Sequence, residues 1–239
     1  AVPKYRGQNS NMHLTEALMA AFEATGDRSY LDKAQSIAEL LIHQIAGGLE
    51  HRVAEHFDEN WELDLDYKGS EMFRPSGATP GHWLEWARRW LQRWVRGGKR
   101  HDWMPDASVA LFRNAVELGW DGFRGGLHYT LDWNNLPLAR AKLWWPMCEG
   151  AGAAAFLNAH KPAEFHEAWY RRLWSTISLN YLDRENGGWF EELDRDLKPA
   201  HTLFAGKADI YHALQACLIP LFPATGSLTK VIPEVGGKY

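Results

Sequence analysis

Apolar residues recur at helical spacing along most of the chain, in two distinct ways. In the first, an apolar face alternates with a charged one. Ser29 to Ile45 puts Leu31, Ala34, Ile37, Ala38, Leu41 and Ile42 on one side, the spacing of a helix with one packed and one wet face. Asp106 to Leu118, with Asp106 in the N-cap place, and Ala163 to Leu182 follow the same pattern. These stretches predict outer helices. The second kind is richer in small and aromatic residues and predicts inner helices at Asn11 to Ala24, Pro80 to Val95, Pro146 to Leu157 and Asp209 to Leu218. Pro80 and Pro146 stand where a first helical position should be, a place that suits proline.

The two kinds alternate. Between them Gly-Gly, an aromatic or Leu, and a short extended stretch occur three times: Gly47-Gly48-Leu49 to Phe57-Asp58, Gly125-Gly126-Leu127 to Leu131-Asp132, and Gly187-Gly188-Trp189 to Leu193-Asp194. Each predicts a β-hairpin or extended loop. Each inner helix also opens on polar groups: Asn9 and His13, His82 and Glu85, Glu149, then Asp209 and His212. The steps from His13 to His82, Glu149 and His212 are 69, 67 and 63 residues, one helical hairpin per period. An α/α barrel arranges such units in a ring with all the helix mouths at one end. The chain holds about three and a half units, and a ring of six at this period takes roughly 390 residues. An open solenoid would expose apolar helix faces. The expectation is therefore an all-α fold: an incomplete α/α barrel over residues 1–223, then a patternless tail over 224–239. The start, Ala1-Val2-Pro3 without an initiator Met and with a loop-like stretch to Gly7, is expected to continue from a preceding segment.

Composition changes the picture in one respect. Thirteen Trp, 10 Phe and 8 Tyr in 239 residues supply large faces for a core and for ligand sites. The net charge of −4 argues against nucleic acid, which needs clustered positive charge. Arg88, Arg89, Arg93, Arg96, Lys99 and Arg100 form the basic cluster and read as a solvated helix end, where cations suit the helix dipole. Cys148 and Cys217 read as two buried thiols in a reducing compartment. No apolar run reaches membrane-span length, and no signal peptide opens the sequence. The expected location is the cytoplasm, without a membrane partner; a homo-oligomer is compatible with the sequence.

A histidine in the first turn of a helix is ordinarily a local hydrogen-bond partner. Recurrence over four inner helices is what marks His13, His82 and His212, with Glu149, as one shared site. A helix N-terminus disfavours imidazolium and so favours the neutral base. Glu85 stands three residues after His82, and Asp209 three before His212, on shared helix faces. His-Glu-x-x-His, Cys-x-x-Cys, a phosphate loop, a dinucleotide fingerprint and Gly-x-Ser-x-Gly are all absent from the sequence, so no metal or cofactor is expected. Gly150 and Gly152 fall inside a helical pattern and predict close helix packing. Trp145 and Trp189 are the aromatics expected at the site, where a ring face would pack on the C–H face of a sugar.

Arg6-Gly7-Gln8-Asn9-Ser10-Asn11-Met12-His13, Thr79-Pro80-Gly81-His82-Trp83-Leu84-Glu85-Trp86, Trp145-Pro146-Met147-Cys148-Glu149, Glu185-Asn186-Gly187-Gly188-Trp189 and Asp209-Ile210-Tyr211-His212 are collinear motifs. They resemble the N-acylglucosamine 2-epimerase family, and within it the aldose–ketose isomerases of mannose and sulfoquinovose. The resemblance runs from about Tyr5 to Pro223. It implies an (α/α)6 barrel whose first two to three helical units are absent here. It also implies that His82 and His212 are the acid/base pair, and that Asn9, His13, Glu85, Glu149 and Trp145 line the sugar pocket. Glu191 and Ala208 stand where the sulfoquinovose enzyme has Gln. These departures turn the expected substrate toward a neutral aldose such as mannose, with Glu191 as a pocket residue. An Arg and a Tyr that the family supplies from its N-terminal part have no counterpart.

The implied chemistry is proton transfer on a free monosaccharide. His82 opens the sugar ring, His212 takes the C2 proton, and Glu85 and Glu149 orient or polarise the pair. Return of the proton to C1 gives a ketose. Return to the other face of C2 gives an epimer, so a 2-epimerase is the first alternative. A glycoside hydrolase using Glu85 and Glu149 and a non-catalytic carbohydrate-binding remnant are the others.

Overall fold

The computed structural model describes residues 4–236. Strand β1 (Tyr5–Gly7) runs directly into α1 (Gln8–Thr25). Helix α2 (Arg28–Ala38) continues as a π-helical segment, Glu39–Ala46, and strand β2 (His56–Asp58) follows. Helices α3 (Pro80–Arg96) and α4 (Trp103–Gly119) come next. Strands β3 (Thr130–Leu131), β4 (Pro137–Ala139) and β5 (Lys142–Leu143) lead to α5 (Trp144–His160). Helix α6 (Glu164–Thr176) also ends in a π-helical segment, Ile177–Tyr181. Strand β6 (Glu192–Leu193), α7 (Ile210–Leu218), a 3-10 turn at Ile219–Leu221 and α8 (Leu228–Gly236) complete the chain.

Both expected helix classes are present. Helix α3 packs on α4 and α5, and α5 on α6 and α7. In α3, Trp83, Leu84, Trp86, Ala87, Trp90 and Leu91 on one side are all inaccessible, and Glu85, Arg88 and Arg89 on the other are buried too, so the helix is enclosed all round, as α5 is. Helices α2, α4 and α6 bury one face only. Each large apolar side chain withdrawn from water contributes about 1.5–3 kcal/mol, and most of that area converges on α3 and α5. Gly150 and Gly152 permit the close approach: an added Cβ would stand 3.1 Å from Leu173 and 3.1 Å from Ile219, respectively.

The extended segments serve as clasps at the helix mouths. β1 pairs with β2 antiparallel, Gly7 opposite His56, at the entry to α1. β5 pairs with β6, Leu143 opposite Glu192, at the entry to α5. Asp58, Asp132 and Asp194 each accept backbone N–H bonds from residues two and four further on. The sequence period is thus also a period of side-chain chemistry.

Four expectations need correction. Gly125-Gly126 and Gly187-Gly188 turn the chain at positive φ, but Gly47-Gly48 extends its helix and the reversal falls at Glu50 (φ 55°) and His51 (φ 59°). Helix α4 starts at Trp103, so Asp106 lies in its first turn and not at the cap, still at the positive end of the dipole. Cys217 is exposed while Cys148 is buried, because α7 turns that side away from α5. The tail is not patternless: α8 buries Val231, and the Ser227 N–H donates to Glu23 of α1 at 3.1 Å. Pro3, in the stretch read as a mid-protein loop, lies outside the described residues, whereas Tyr5–Gly7 of that stretch is β1.

Candidate active site

Helix α3 opens with Thr79 ahead of Pro80 at the first helical position. That start places His82 in the first turn beside Trp145, the second residue of α5, with ring centroids 5.0 Å apart. The His212 ring of α7 also meets Trp145, at 5.8 Å. Two imidazoles from different helices therefore share one indole. Gly81 makes room for it: a Cβ there would lie 2.6 Å from the Trp145 ring.

Each imidazole is held through Nδ1 by a buried carboxylate. His212 Nδ1 lies 3.0 Å from Glu149 Oε1. Glu149 in turn accepts from the Arg88 guanidinium at 3.0 and 2.7 Å. His82 Nδ1 lies 2.8 and 3.0 Å from the two oxygens of Glu55. Glu55 accepts from the Gln8 amide at 2.7 Å, and the Gln8 carbonyl oxygen accepts from the Trp86 indole at 2.7 Å. In both pairs Nε2 is the ring nitrogen left for other work.

The carboxylates set the electrostatics. Burial pushes the Glu149 pKa up, but Arg88 and then His212 overcome this and hold it well below the usual carboxylate range. Burial alone would lower both histidines. Glu55, with Glu85 and Glu149 behind it, reverses that for His82, and Glu149, Glu85 and Asp209 reverse it for His212. Both imidazoles are raised, so the expected effect of the helix N-terminus on their protonation is outweighed by carboxylates in direct contact.

Two expected pairings are different in the structure. Glu85 does not hold His82; its carboxylate is gripped by Arg89, one turn along the same helix. The i, i+4 guanidinium reaches it squarely, and His82 is already engaged by Glu55. Asp209 bonds the backbone N–H of His212 at 3.1 Å as an N-cap, not the ring. Of the basic cluster, only Lys99 and Arg100 form the expected solvated end. Arg88, Arg89 and Arg93 are buried, Arg89 also meets Glu16 of α1 at 2.5 Å, and Arg96 meets Glu23 at 2.6 Å. A helix enclosed on all sides has no wet face, so its cations are buried with carboxylates from neighbouring helices.

The remaining expected site residues divide. Asn9 and His13 line a hollow of about 230 Å³ together with Glu55, His56 and Arg74. His13 is half exposed, 3.7 Å from Glu16. Trp189 packs edge-on against Trp174 of outer helix α6, centroids 6.3 Å apart, so the structure does not bring it to the histidines. Glu191 is partly buried, and its carbonyl accepts from the Trp144 N–H at 3.1 Å, fastening β6 to the mouth of α5. Burial and Asp209 raise its carboxyl pKa. Among the described residues no three His, Cys, Asp or Glu side chains are grouped as a metal-ligand set. Sequence reasoning missed Glu55, Gln8 and the inward role of Arg88.

Paired inner and outer helices, with polar groups at the inner helix mouths, place the protein in the α/α barrel class. A crystal structure of D-mannose isomerase superposes with a TM-score of 0.84 at 32% identity, over 92% of this chain and 57% of that one. The cellobiose 2-epimerase of Spirochaeta thermophila, at 18% identity and a TM-score of 0.75 over 90% and 52% of the two chains, shares the fold. Residues 1–216 match the family model of N-acylglucosamine 2-epimerase. The chain belongs to the N-acylglucosamine 2-epimerase family. It is 43% identical over 236 residues to a D-mannose isomerase of Pseudomonas cannabina pv. alisalensis, covering 95% of this chain and 57% of that protein. It is 40% identical over 238 residues to a D-mannose isomerase of Thermobifida fusca, covering 97% and 58%. The chain thus spans less than two thirds of the length of these curated relatives.

Proposed function

We propose that the protein is an aldose–ketose isomerase acting on mannose or a similar neutral aldose. The observation that carries this is the placement of two carboxylate-held imidazoles against one indole, Trp145, with both Nε2 atoms uncommitted. The relatives that are 40–43% identical are D-mannose isomerases, which supports the substrate class.

The sugar lies with its C–H face on Trp145. His82 Nε2 assists ring opening by moving a proton onto the ring oxygen. The C2 hydrogen of the open aldehyde is weakly acidic, and His212 Nε2 takes it. The electron pair flows toward the C1 carbonyl, giving an enediol or enediolate. Return of the proton from His212 to C1, with transfer of the O2 proton to O1, gives the ketose. Aldose and ketose have the same composition, so no redox partner enters. Glu149, fixed by Arg88, orients His212. Glu85, fixed by Arg89, adds negative charge toward both rings and orients neither. Asn9 and His13 line the far side of the pocket. Trp189 and Glu191 support the β6 clasp.

A 2-epimerase is the second reading. It is favoured by the presence of two imidazoles at the same indole, because inversion at C2 needs a second proton-transfer group. Incubation with mannose in deuterated water separates the two. Fructose labelled at C1 is the expected product. A C2-labelled epimer without ketose would replace the isomerase by the epimerase, and unlabelled mannose after long incubation would remove both.

The finer architecture belongs to the same proposal. Helices α1 and α7 are the end members of the row, and Leu14, Ile210 and Leu214 on them are exposed. We take these faces as the seats of the further helical hairpins that close a ring of six. No helix among the described residues is long and apolar enough to cross a membrane.

Gly81→Ala tests the role of Trp145. The added methyl drives the indole away from its place against the histidines. The expected result is a fall in kcat/KM for mannose of about 100-fold, with a loss of stability of about 1–3 kcal/mol from overpacking. Steady-state kinetics and thermal unfolding measure the two effects separately.

A further inference from the structure

We propose that Glu55 is the positioning residue of His82, and that its neutral partner Gln8, in contrast to the Arg88 that partners Glu149, makes His82 the proton donor and His212 the proton acceptor. This rests on the isomerase reading above and adds to it a division of labour written into the surroundings of the two rings.

Glu55 belongs to no helix, yet it is fixed from three directions. Its carbonyl accepts the Gln8 N–H at 3.0 Å, tying it to the start of α1. Two residues before it, the Val53 carbonyl accepts the Trp83 indole N–H at 3.1 Å, tying the segment to α3. Just after it, His56 enters the β1–β2 ladder. Glu55 is 4% exposed and Gln8 not at all. The carboxylate is therefore preorganised on the ring, as a group that sets orientation must be.

The donor inventory fixes which proton goes where. The Trp86 indole can only donate, so Gln8 must present its carbonyl oxygen to Trp86 and its NH₂ to Glu55. The Gln8 nitrogen is also 2.9 Å from His82 Nδ1. Both oxygens of the Glu55 carboxylate, which can only accept, stand at 2.8 and 3.0 Å from Nδ1, so Nδ1 carries its hydrogen and directs it to Glu55, while the Gln8 NH₂ is spent on the same carboxylate. Neutral His82 is then the Nδ1–H tautomer with a basic Nε2, and protonated His82 bears its transferable proton on Nε2.

The two carboxylates differ in what else they touch. Glu149 shares its charge with a guanidinium on two hydrogen bonds, which weakens its pull on the His212 proton. Glu55 receives only an amide and keeps its full charge for His82. The groups facing His82 are Glu55 from the segment before β2, Gln8 from α1, Glu85 from its own helix, and Trp145 and Glu149 from α5. Those facing His212 are Glu149 on α5, with Arg88 behind it, Glu85 on α3, and Asp209 at its own helix start. A buried carboxylate with no cation stabilises imidazolium more than one already paired.

Nitrogen-15 NMR of the histidine rings, recorded without substrate, tests this. In Glu55→Gln the His82 titration midpoint should fall, with a loss of proton affinity of about tenfold or more, while His212 holds its midpoint. Neutral His82 should also lose its Nδ1–H tautomer preference. Mannose turnover should drop about 100-fold with KM nearly unchanged, and Glu55→Asp should recover part of it. Gln8→Met, which keeps the carboxylate and removes its donor, should move the His82 midpoint upward and serves if Glu55→Gln does not fold. A His82 midpoint that stays fixed in these variants, or a His82 and His212 that shift together, overturns the proposal. Failure of the wild-type protein to convert mannose would remove the isomerase reading and leave the ring titrations to decide this one.

Discussion

Replacing Arg88 with Met should cost the protein about 3–5 kcal/mol and abolish isomerisation. Arg88 and Glu149 are both buried, 1% and 2% exposed. Their pairing offsets the expense of holding two charges away from water. Removing the cation alone leaves a carboxylate in the core with only His212 to answer it, and breaking a buried pair from one side costs about that much. Against a domain stability of about 5–15 kcal/mol this is a large fraction. A midpoint shift of about 6–20 °C follows for a chain of this size. The double variant Arg88→Met/Glu149→Gln should regain most of the stability, since no buried charge is stranded. It should regain none of the activity, because His212 loses its orienting anion. Thermal unfolding of the single and double variants, with mannose turnover, checks both halves. A single variant as stable as wild type would mean that water reaches Glu149.

Replacing His212 with Asn should lower mannose isomerisation by about 10³-fold, within the range that a positioned acid/base group supplies, with little loss of stability. The Asn amide can still donate toward Glu149, so the carboxylate keeps a partner. What disappears is the Nε2 base. Exchange of the C2 hydrogen with solvent should fall in step with ketose formation, and the retained His82 should leave mannose binding close to wild type. The pH profile adds a sign. His212 acts as a base only when neutral, and its pKa lies above the ordinary imidazole value of 6.5 because Glu149, Glu85 and Asp209 more than offset its burial. kcat/KM for the wild-type protein should therefore fall on the acid side of a pKa higher than 6.5. An acid limb below that value would mean that the carboxylates are screened in the working enzyme.

His82, Glu149 and His212 were legible in the sequence because they occupy repeated places, the first turns of inner helices, and the period of the repeat is large and regular. Trp145 was legible for the same reason, as the residue before Pro146. Glu55 was not. It lies in Val53-Ala54-Glu55, an irregular stretch with no periodicity, and nothing local distinguishes its carboxylate from those of Glu59 or Glu62 nearby. It comes to His82 through long-range ties, the β1–β2 ladder and the bonds to Gln8 and Trp83, that a single sequence does not display. The arginines of α3 were misread because the helix is amphipathic in sequence. Trp83, Leu84, Trp86, Ala87, Trp90 and Leu91 fall within about 160° of arc, and the opposite side, which carries Arg88 and Arg89, reads as a solvated face although α1 and α5 supply buried carboxylates to it. The Glu85 pairing was misassigned because i, i+3 and i, i+4 neighbours are both in reach, and Arg89 offers a charge where His82 offers only a ring already taken. Trp189 shows the limit of composition: an aromatic on a hairpin near the mouth packs outward as readily as inward.

The most direct test is a structure of the protein with mannitol, an open-chain alcohol that matches the ring-opened sugar but cannot react. C2 should lie about 3–3.5 Å from His212 Nε2, with the chain lying on Trp145 and His82 Nε2 near the oxygen that closes the ring. Mannitol bound away from Trp145, or His82 and His212 turned so that Nε2 and not Nδ1 meets the carboxylates, would contradict the shared-site account.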